Sequence, residues 1–256
     1  MSQIRVGVVG ASGRMGSTVC AAVADDGELI LAAAVDVHGT GGSVHGIEIG
    51  SELRGLAEAQ CDVVVDFTVA QASRVTLPWL AMHGMHAVVG TTGFTNEDMT
   101  IFRQSFSGSN CLIASNFAIS AVLMMRFAEI SAPFFETAEI IELHHDAKVD
   151  APSGTAVSTA QRMAAASDQW AADPTTHEVY PHVRGGLGPA GIRLHSVRMR
   201  GMVAHQEVIL GSQGQTLTIR QDSYDRLSYM PGVLLACKRI GEHPGLSIGL
   251  DSLMGI

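Results

Sequence analysis

The 256-residue chain has little cysteine and few bases. Its four cysteines, Cys20, Cys61, Cys111 and Cys237, are far apart and form no CxxC pair. That pattern excludes a disulfide framework and a cysteine-ligated structural zinc, and the thiols read as reduced and buried. Lys and Arg number 16 against 25 Asp and Glu, a formal net charge of −9. A nucleic-acid binder would carry a basic stripe, so that partner class is set aside and any anionic ligand must be held by local groups. The chain also lacks an uninterrupted apolar run long enough for a membrane span. Its most apolar stretch, 118–135, is broken by Arg126 and Glu129 and reads as a buried amphipathic helix. There is no internal repeat, no low-complexity tract, and no basic leader with an apolar core ahead of the first strand pattern. A cytoplasmic protein of one or two domains is expected.

Glycine is plentiful, and its placement is informative. Ile4 to Val9 reads as a short buried strand, Gly10-Ala11-Ser12-Gly13-Arg14-Met15-Gly16 as a turn, and the residues to about Asp25 as a helix. The spacing is GxxGxxG, and the needs behind it are a tight turn, close main-chain approach to a pyrophosphate and close helix-to-strand packing. A second apolar strand, Leu29 to Val35, ends in Asp36, twenty residues after Gly16, where an acid can accept hydrogen bonds from an adenosine ribose and repel a 2′-phosphate. NADH should therefore serve well, and Arg14 and His38 leave NADPH open. Val63 to Asp66 and Ala87 to Val89 read as further parallel strands, followed by Thr68 and by Gly90, Thr91 and Thr92. A fourth run, Cys111 to Ala114, ends in Ser115-Asn116-Phe117. Ligands in open parallel sheets lie beyond the carboxyl ends of the strands, so these residues, Ala114 included, are candidate cofactor contacts. The glycine-rich stretch 37–51, carrying His38 and His45, reads as a flexible loop.

The stretch Glu142 to Ala156 is the most chemically loaded. It follows the strand-like run Ala138 to Leu143, so His144, His145 and Lys148 should project from the ensuing loop. Pro152-Ser153-Gly154-Thr155 then leads into a helix whose first amides suit a carboxylate or phosphate. Proton donors, a cation and an anion-binding turn together fit an anionic substrate that must be protonated. After Asn116 the texture changes: a long helix over about 120–132 is followed by strands at 192–199, 203–210 and 216–220, with 211–215 as a hairpin loop. A second domain is read here, and 167–191 as a mobile loop. His177, His182 and His195 read as surface or packing residues.

These motifs resemble the 4-hydroxy-tetrahydrodipicolinate reductase (dihydrodipicolinate reductase) family of lysine and diaminopimelate biosynthesis. The resemblance runs nearly end to end: the 10–16 turn, Val65-Asp66-Phe67-Thr68, Gly90-Thr91-Thr92-Gly93-Phe94, Ser115-Asn116-Phe117, Glu142-Leu143-His144-His145, Lys148 to Ala156, His205-Gln206-Glu207 and Asp225-Arg226. It implies an α/β fold with a Rossmann-like dinucleotide-binding domain (1–117), an inserted mixed α/β substrate-binding and tetramerisation domain (118–226), and a C-terminal segment (227–256) returning to the first. It implies NADH or NADPH as cofactor, a small cyclic dicarboxylate as substrate, His144 and Lys148 as proton-transfer residues, and His145, Ser153, Gly154 and Thr155 as substrate contacts. Ser12 stands where some relatives carry Lys, and Ser115 where Pro is frequent; the first removes a cation that would help bind NADPH. Two other readings compete. A metal hydrolase would use His144, His145, Asp146 and Asp150, but adjacent strand-end histidines point opposite ways, so no metal is expected. A nucleotide-sensing Rossmann protein would bind the cofactor without turnover.

Overall fold

The computed structural model describes residues 3–256. The chain opens with β1 (Ile4–Val9), whose last four residues are all buried, as a central parallel strand covered on both faces requires. Gly10 leaves the strand at φ +80°, and α1 (Arg14–Asp25) and β2 (Leu29–Val35) complete the first βαβ unit. The glycine-rich stretch read as a flexible loop instead forms a hairpin of β3 (Ser43–Val44) and β4 (Ile47–Gly50). His45 and Gly46 both have positive φ at its tip, and β4 pairs parallel to β2. Its two-residue apolar period, Ile47 and Ile49, is short and sits among glycines, which hides the strand.

Next come α2 (Arg54–Glu58), β5 (Val63–Asp66), α3 (Ala70–Met82), β6 (His86–Val89), α4 (Asn96–Ser105) and β7 (Cys111–Ile113). The start of α4 is fixed by a capping box: the Thr95 hydroxyl accepts from the Asp98 amide at 3.2 Å and the Asp98 carboxylate from the Thr95 amide at 2.8 Å. Leu56, Val64, Leu77, Leu80, Phe102 and Phe106 fill the layer between sheet and helices.

Residues 119–225 form a second compact unit, and 1–118 with 226–256 the first. The second unit holds α5 (Ile119–Ser131), β8 (Thr137–His144), α6 (Gly154–Ala166), β9 (Gly186–Leu187), β10 (Arg193–Arg198), β11 (Ala204–Ser212) and β12 (Gln215–Ser223). Its sheet runs in the order β12-β11-β8-β10-β9, with only β8 and β10 parallel. Ile140, Glu142, Val208 and Leu210 lie buried, while Thr137, Glu139 and Ile141 alternate with them and keep some exposure. The hairpin between β11 and β12 is tighter than the 211–215 loop read from the sequence. Ser212 pairs with Gln215, so only Gln213 and Gly214 connect the strands, the glycine at φ +82°. The 167–191 segment is not simply a loop either: β9 pairs antiparallel to β10, and Asp173 accepts from Arg193 at 2.9 Å.

The chain then returns to the first unit through α7 (Met230–Arg239), β13 (Leu246–Ile248) and α8 (Asp251–Met254). Pro231 sits in the first turn of α7, where its missing N–H costs nothing. β13 adds parallel to β7, giving an eight-stranded sheet in the order β13-β7-β6-β5-β1-β2-β4-β3. All four cysteines are unpaired and buried, as expected. Burial pushes the Cys61 thiol up to about 11 and those of Cys20 and Cys237 to about 12, so none is a ready thiolate. No helix of the described residues is long and apolar enough to cross a membrane.

Gly232 shows how tightly the returning segment packs. A Cβ there would lie 2.1 Å from the Phe117 carbonyl oxygen, which is main chain and cannot swing away. Gly232→Ala should therefore destabilise the protein by roughly 1–3 kcal/mol, lowering the urea midpoint with the slope unchanged. A midpoint equal to that of the parent would show that the contact relaxes at no cost.

Candidate active site

The three glycines of the 10–16 turn do different work. Gly10 takes the left-handed conformation that turns the chain, at φ +80°. Gly16 lets α1 meet the strand end: a Cβ there would sit 2.0 Å from the Gly10 carbonyl oxygen. Gly13 caps α1 in extended conformation, and its amide donates to the Gly10 carbonyl at 3.0 Å. Ser12, Gly13 and Arg14 are exposed; with the Ser12 and Gly13 amides taken inside the turn, it presents the Arg14 cation beside the first amides of α1.

Asp36 follows β2 and faces this turn. Its Oδ2 accepts from the Ser12 amide at 3.0 Å and the Ser12 hydroxyl at 2.5 Å, and its Oδ1 from the His38 amide at 2.9 Å. Burial alone would raise this carboxyl, but the Ser12 hydroxyl and the two amides outweigh it and hold Asp36 below the ordinary range. A carboxylate offers about four acceptor positions, so one remains on Oδ1 for a sugar hydroxyl. Gly39 closes over Ser12, where a Cβ would fall 2.5 Å from the serine Cβ.

The other candidate cofactor residues follow β5, β6 and β7, along the carboxyl edge of the same parallel sheet. Asp66, fully buried at the end of β5, ties these loops together. It accepts from the Thr68 amide and hydroxyl at 2.9 and 2.6 Å, from Ser73 at 2.9 Å and from Thr91 at 3.3 Å. Gly90 lies against the Phe67 ring, with no room for a Cβ, and Phe67 packs on Phe117 with ring centroids 5.5 Å apart. Ala11, Thr91, Ala114 and Phe117 are buried, whereas Thr92 and Ser115 are exposed.

In the second unit His144 is the last residue of β8, not the first of the loop as the sequence reading had it. The strand runs on because His144 still pairs with Arg198 of β10 and Ala204 of β11. Glu142 and His144 share one face at the two-residue strand period, and His144 Nδ1 lies 2.5 Å from Glu142 Oε2. Glu142 is fully buried and also accepts a two-pronged contact from Arg198, both bonds 2.8 Å, and the Ser153 amide at 3.2 Å. Burial would raise the Glu142 carboxyl, but Arg198 leads the groups that bring it below its ordinary range. Burial lowers the His144 imidazole, Glu142 pulls the other way, and Lys148 and Arg198 add to the lowering.

His145, one residue on, is exposed. The turn brings back Lys148, whose amide donates to the His145 carbonyl at 3.2 Å and whose Nζ donates to both oxygens of Asp150, at 2.7 and 2.8 Å. Ser153 then caps α6: its hydroxyl accepts from the Ala156 amide at 3.2 Å and its carbonyl from the Val157 amide at 3.0 Å. Gly154 occupies the exposed first position of the helix, and a Cβ there would meet nothing within 4 Å. His144, Lys148 and an anion-suited helix start are thus joined through Glu142 and Arg198. Among the described residues no cluster of three or more His, Cys, Asp or Glu side chains could hold a metal ion.

Arg198, the buried role of Glu142, the Asp150 partner of Lys148 and the Asp66 hub were not assigned from sequence. A Glu-x-His pair on a strand was the available signal for Glu142. Arg198 lies 56 residues from Glu142 and is brought beside it only by the β8–β10 pairing. His195 packs as expected, its Nε2 2.7 Å from Glu139.

A parallel sheet with a glycine turn and an acid after its second strand, in a chain whose second α/β unit carries a histidine, a lysine and a helix N-terminus, has the make-up of a dinucleotide-dependent oxidoreductase. Residues 4–117 match the family described as "Dihydrodipicolinate reductase, N-terminus" and residues 120–254 its C-terminal counterpart. The chain belongs to the dihydrodipicolinate reductase family. It is 47% identical to the 4-hydroxy-tetrahydrodipicolinate reductase of Corynebacterium urealyticum over 258 residues, 99% of either chain. It is also 47% identical to that of Mycobacterium ulcerans over 257 residues, 99% of this chain and 100% of the relative. Among solved structures, the dipicolinate-bound dihydrodipicolinate reductase from Paenisporosarcina sp. TG-14 superposes with a TM-score of 0.89 at 33% identity, covering 98% and 99% of the two chains. An amine dehydrogenase from Mycobacterium smegmatis shares the fold, with a TM-score of 0.67 at 12% identity over 98% and 96% of the chains.

Asp36 keeps its charge well below neutral pH and repels a second anion at its Oδ1, so kcat/KM with NADH should equal or exceed that with NADPH. A large preference for NADPH would show that Asp36 does not face the ribose.

Proposed function

We propose that the protein reduces 4-hydroxy-tetrahydrodipicolinate to tetrahydrodipicolinate with NADH or NADPH, as its relatives' name describes, in lysine and diaminopimelate biosynthesis. The observation that carries the reading is the Glu142–His144 pair, joined in one hydrogen-bonded network to the Ser153 cap of α6 and lying close to Lys148. The overall change adds one hydride and one proton to the ring and releases water. The nicotinamide supplies the hydride to an electron-poor ring carbon conjugated with the imine. Gly10 to Met15 cradle the pyrophosphate, Asp36 accepts from the ribose, and Thr68, Gly90 to Thr92 and Ala114 to Phe117 border the rest of the dinucleotide.

The remaining chemistry belongs to the second unit. His144 transfers a proton from Nε2, the ring nitrogen turned away from Glu142. Lys148 steadies developing negative charge through Nζ, the two contacts to Asp150 leaving it a further N–H, and acts as the second proton donor. Ser153, Gly154 and Thr155 at the start of α6 hold a substrate carboxylate, and His145 contacts the ring's polar edge. The substrate is a small molecule, and the acidic chain has no role on nucleic acid. The partly apolar open face of the second sheet, with Ile141 and Ile209, supports assembly as a homotetramer of 26.9 kDa chains in the cytoplasm.

His144→Gln and Lys148→Ala should each lower kcat by roughly 10²-fold or more, as loss of a general acid does. Near-parental turnover in both would overturn the assigned roles. Thr155→Val should raise KM for the ring substrate with the NADH Kd unchanged; an altered NADH Kd would place Thr155 elsewhere. Light scattering should return four times the chain mass, and a monomer would refute the tetramer.

A further inference from the structure

Glu142 has no exposure to water, and a buried carboxylate survives only if its acceptor positions are filled. Three of its contacts come from groups that can only donate: the two guanidinium nitrogens of Arg198 and the Ser153 amide. The carboxylate therefore stays ionised, and the fourth group, His144 Nδ1 at 2.5 Å, must carry a proton to approach it. That leaves Nε2 as the only ring nitrogen that can exchange a proton with a ligand.

The same carboxylate reaches the other half of the site. Oε1 takes the Ser153 amide while the Ser153 hydroxyl caps α6, and Arg198 also donates to the Asp150 carbonyl at 2.7 Å. Asp150 in turn holds Lys148. His144 and Ser153 are thus one hydrogen bond from Glu142, and Lys148 is three, through Arg198 and Asp150.

Resting on the function proposed above, we infer that Glu142, clamped by Arg198, is a positioning residue: it selects the Nδ1–H tautomer of His144 and sets the imidazole in register with the start of α6. Glu142 acts through His144 and Ser153 rather than on substrate. The charged or titratable groups facing His144 are Glu142 on its own strand, Arg198 on β10, and Lys148 with its partner Asp150 on the following turn; Ala204, its β11 neighbour, is neutral.

The test combines imidazole nitrogen NMR with kinetics on Glu142→Gln, Glu142→Asp and the parent enzyme. The parent should show neutral His144 protonated on Nδ1, and Glu142→Gln should shift it toward the Nε2–H form. Glu142→Gln should also lower kcat by about 10²-fold or more, as a wrong tautomer does. It should raise KM for the dicarboxylate while leaving the NADH Kd alone. Glu142 raises the His144 pKa, so its neutralisation should move the alkaline fall in activity to lower pH, whereas Glu142→Asp, which keeps the charge, should lose kcat without moving that limb. An Nε2–H tautomer in the parent overturns the inference. So does a Glu142→Gln enzyme with parental kcat and pH profile, even if its melting temperature has dropped. If Glu142→Gln fails to fold, the parent tautomer and the Glu142→Asp profile decide. A parent with the Nδ1–H tautomer but no turnover of the ring substrate would overturn the proposed reaction and leave the positioning role standing.

Discussion

A negative charge with no access to water organises the second unit. Isolated, the Glu142 carboxylate would cost several kcal/mol to bury, and the fold offsets that cost by surrounding it with Arg198, the Ser153 amide and His144. Each partner comes from a different stretch of chain, so satisfying one side chain brings β8, β10 and the start of α6 into register. The energetic requirement and the chemical arrangement are the same set of bonds. In the first unit Asp66 is a second buried side chain that ties chain together: Thr68, Ser73 and Thr91 donate to it and so fix the loops after β5 and β6.

The dinucleotide side rests on steric limits more than on charge. Gly16 and Gly90 lie where main chain or an aromatic ring leaves no space for a methyl group, and Gly39 presses on Ser12, whose hydroxyl holds Asp36. Serine at position 12 is therefore more than a missing cation. It supplies the donor that keeps the Asp36 carboxylate ionised and aimed, and its short side chain is what the 37–42 loop can close over.

Much of the fold was legible because the signals were local. β1, α1 and β2 follow from an apolar run, a glycine turn and an acid at fixed spacing. The Ser153 cap and the helix after it are written in five consecutive residues. Elements whose apolar period is short or diluted were not legible: β3 and β4 hide among glycines, and β9 consists of two residues within a segment of proline and glycine. The site divides the same way. His144, Lys148 and Ser153 to Thr155 lie close together in one short stretch of sequence, whereas Arg198 joins them only through sheet pairing, which no local pattern encodes.

The parallel pairing of β13 with β7 carries a consequence for biosynthesis. The second unit is continuous in sequence, 119–225, and has all its strands once β12 has emerged from the ribosome. The first unit is not: β7 waits with an unpaired edge while more than a hundred further residues are translated, and its neighbour comes from 246–248. An open edge strand is a template for wrong pairing. The nascent chain thus carries an aggregation-prone edge from the emergence of β7 until that of β13, and a stop between β12 and β13 that spares every residue of the chemical site would still leave the first sheet unfinished.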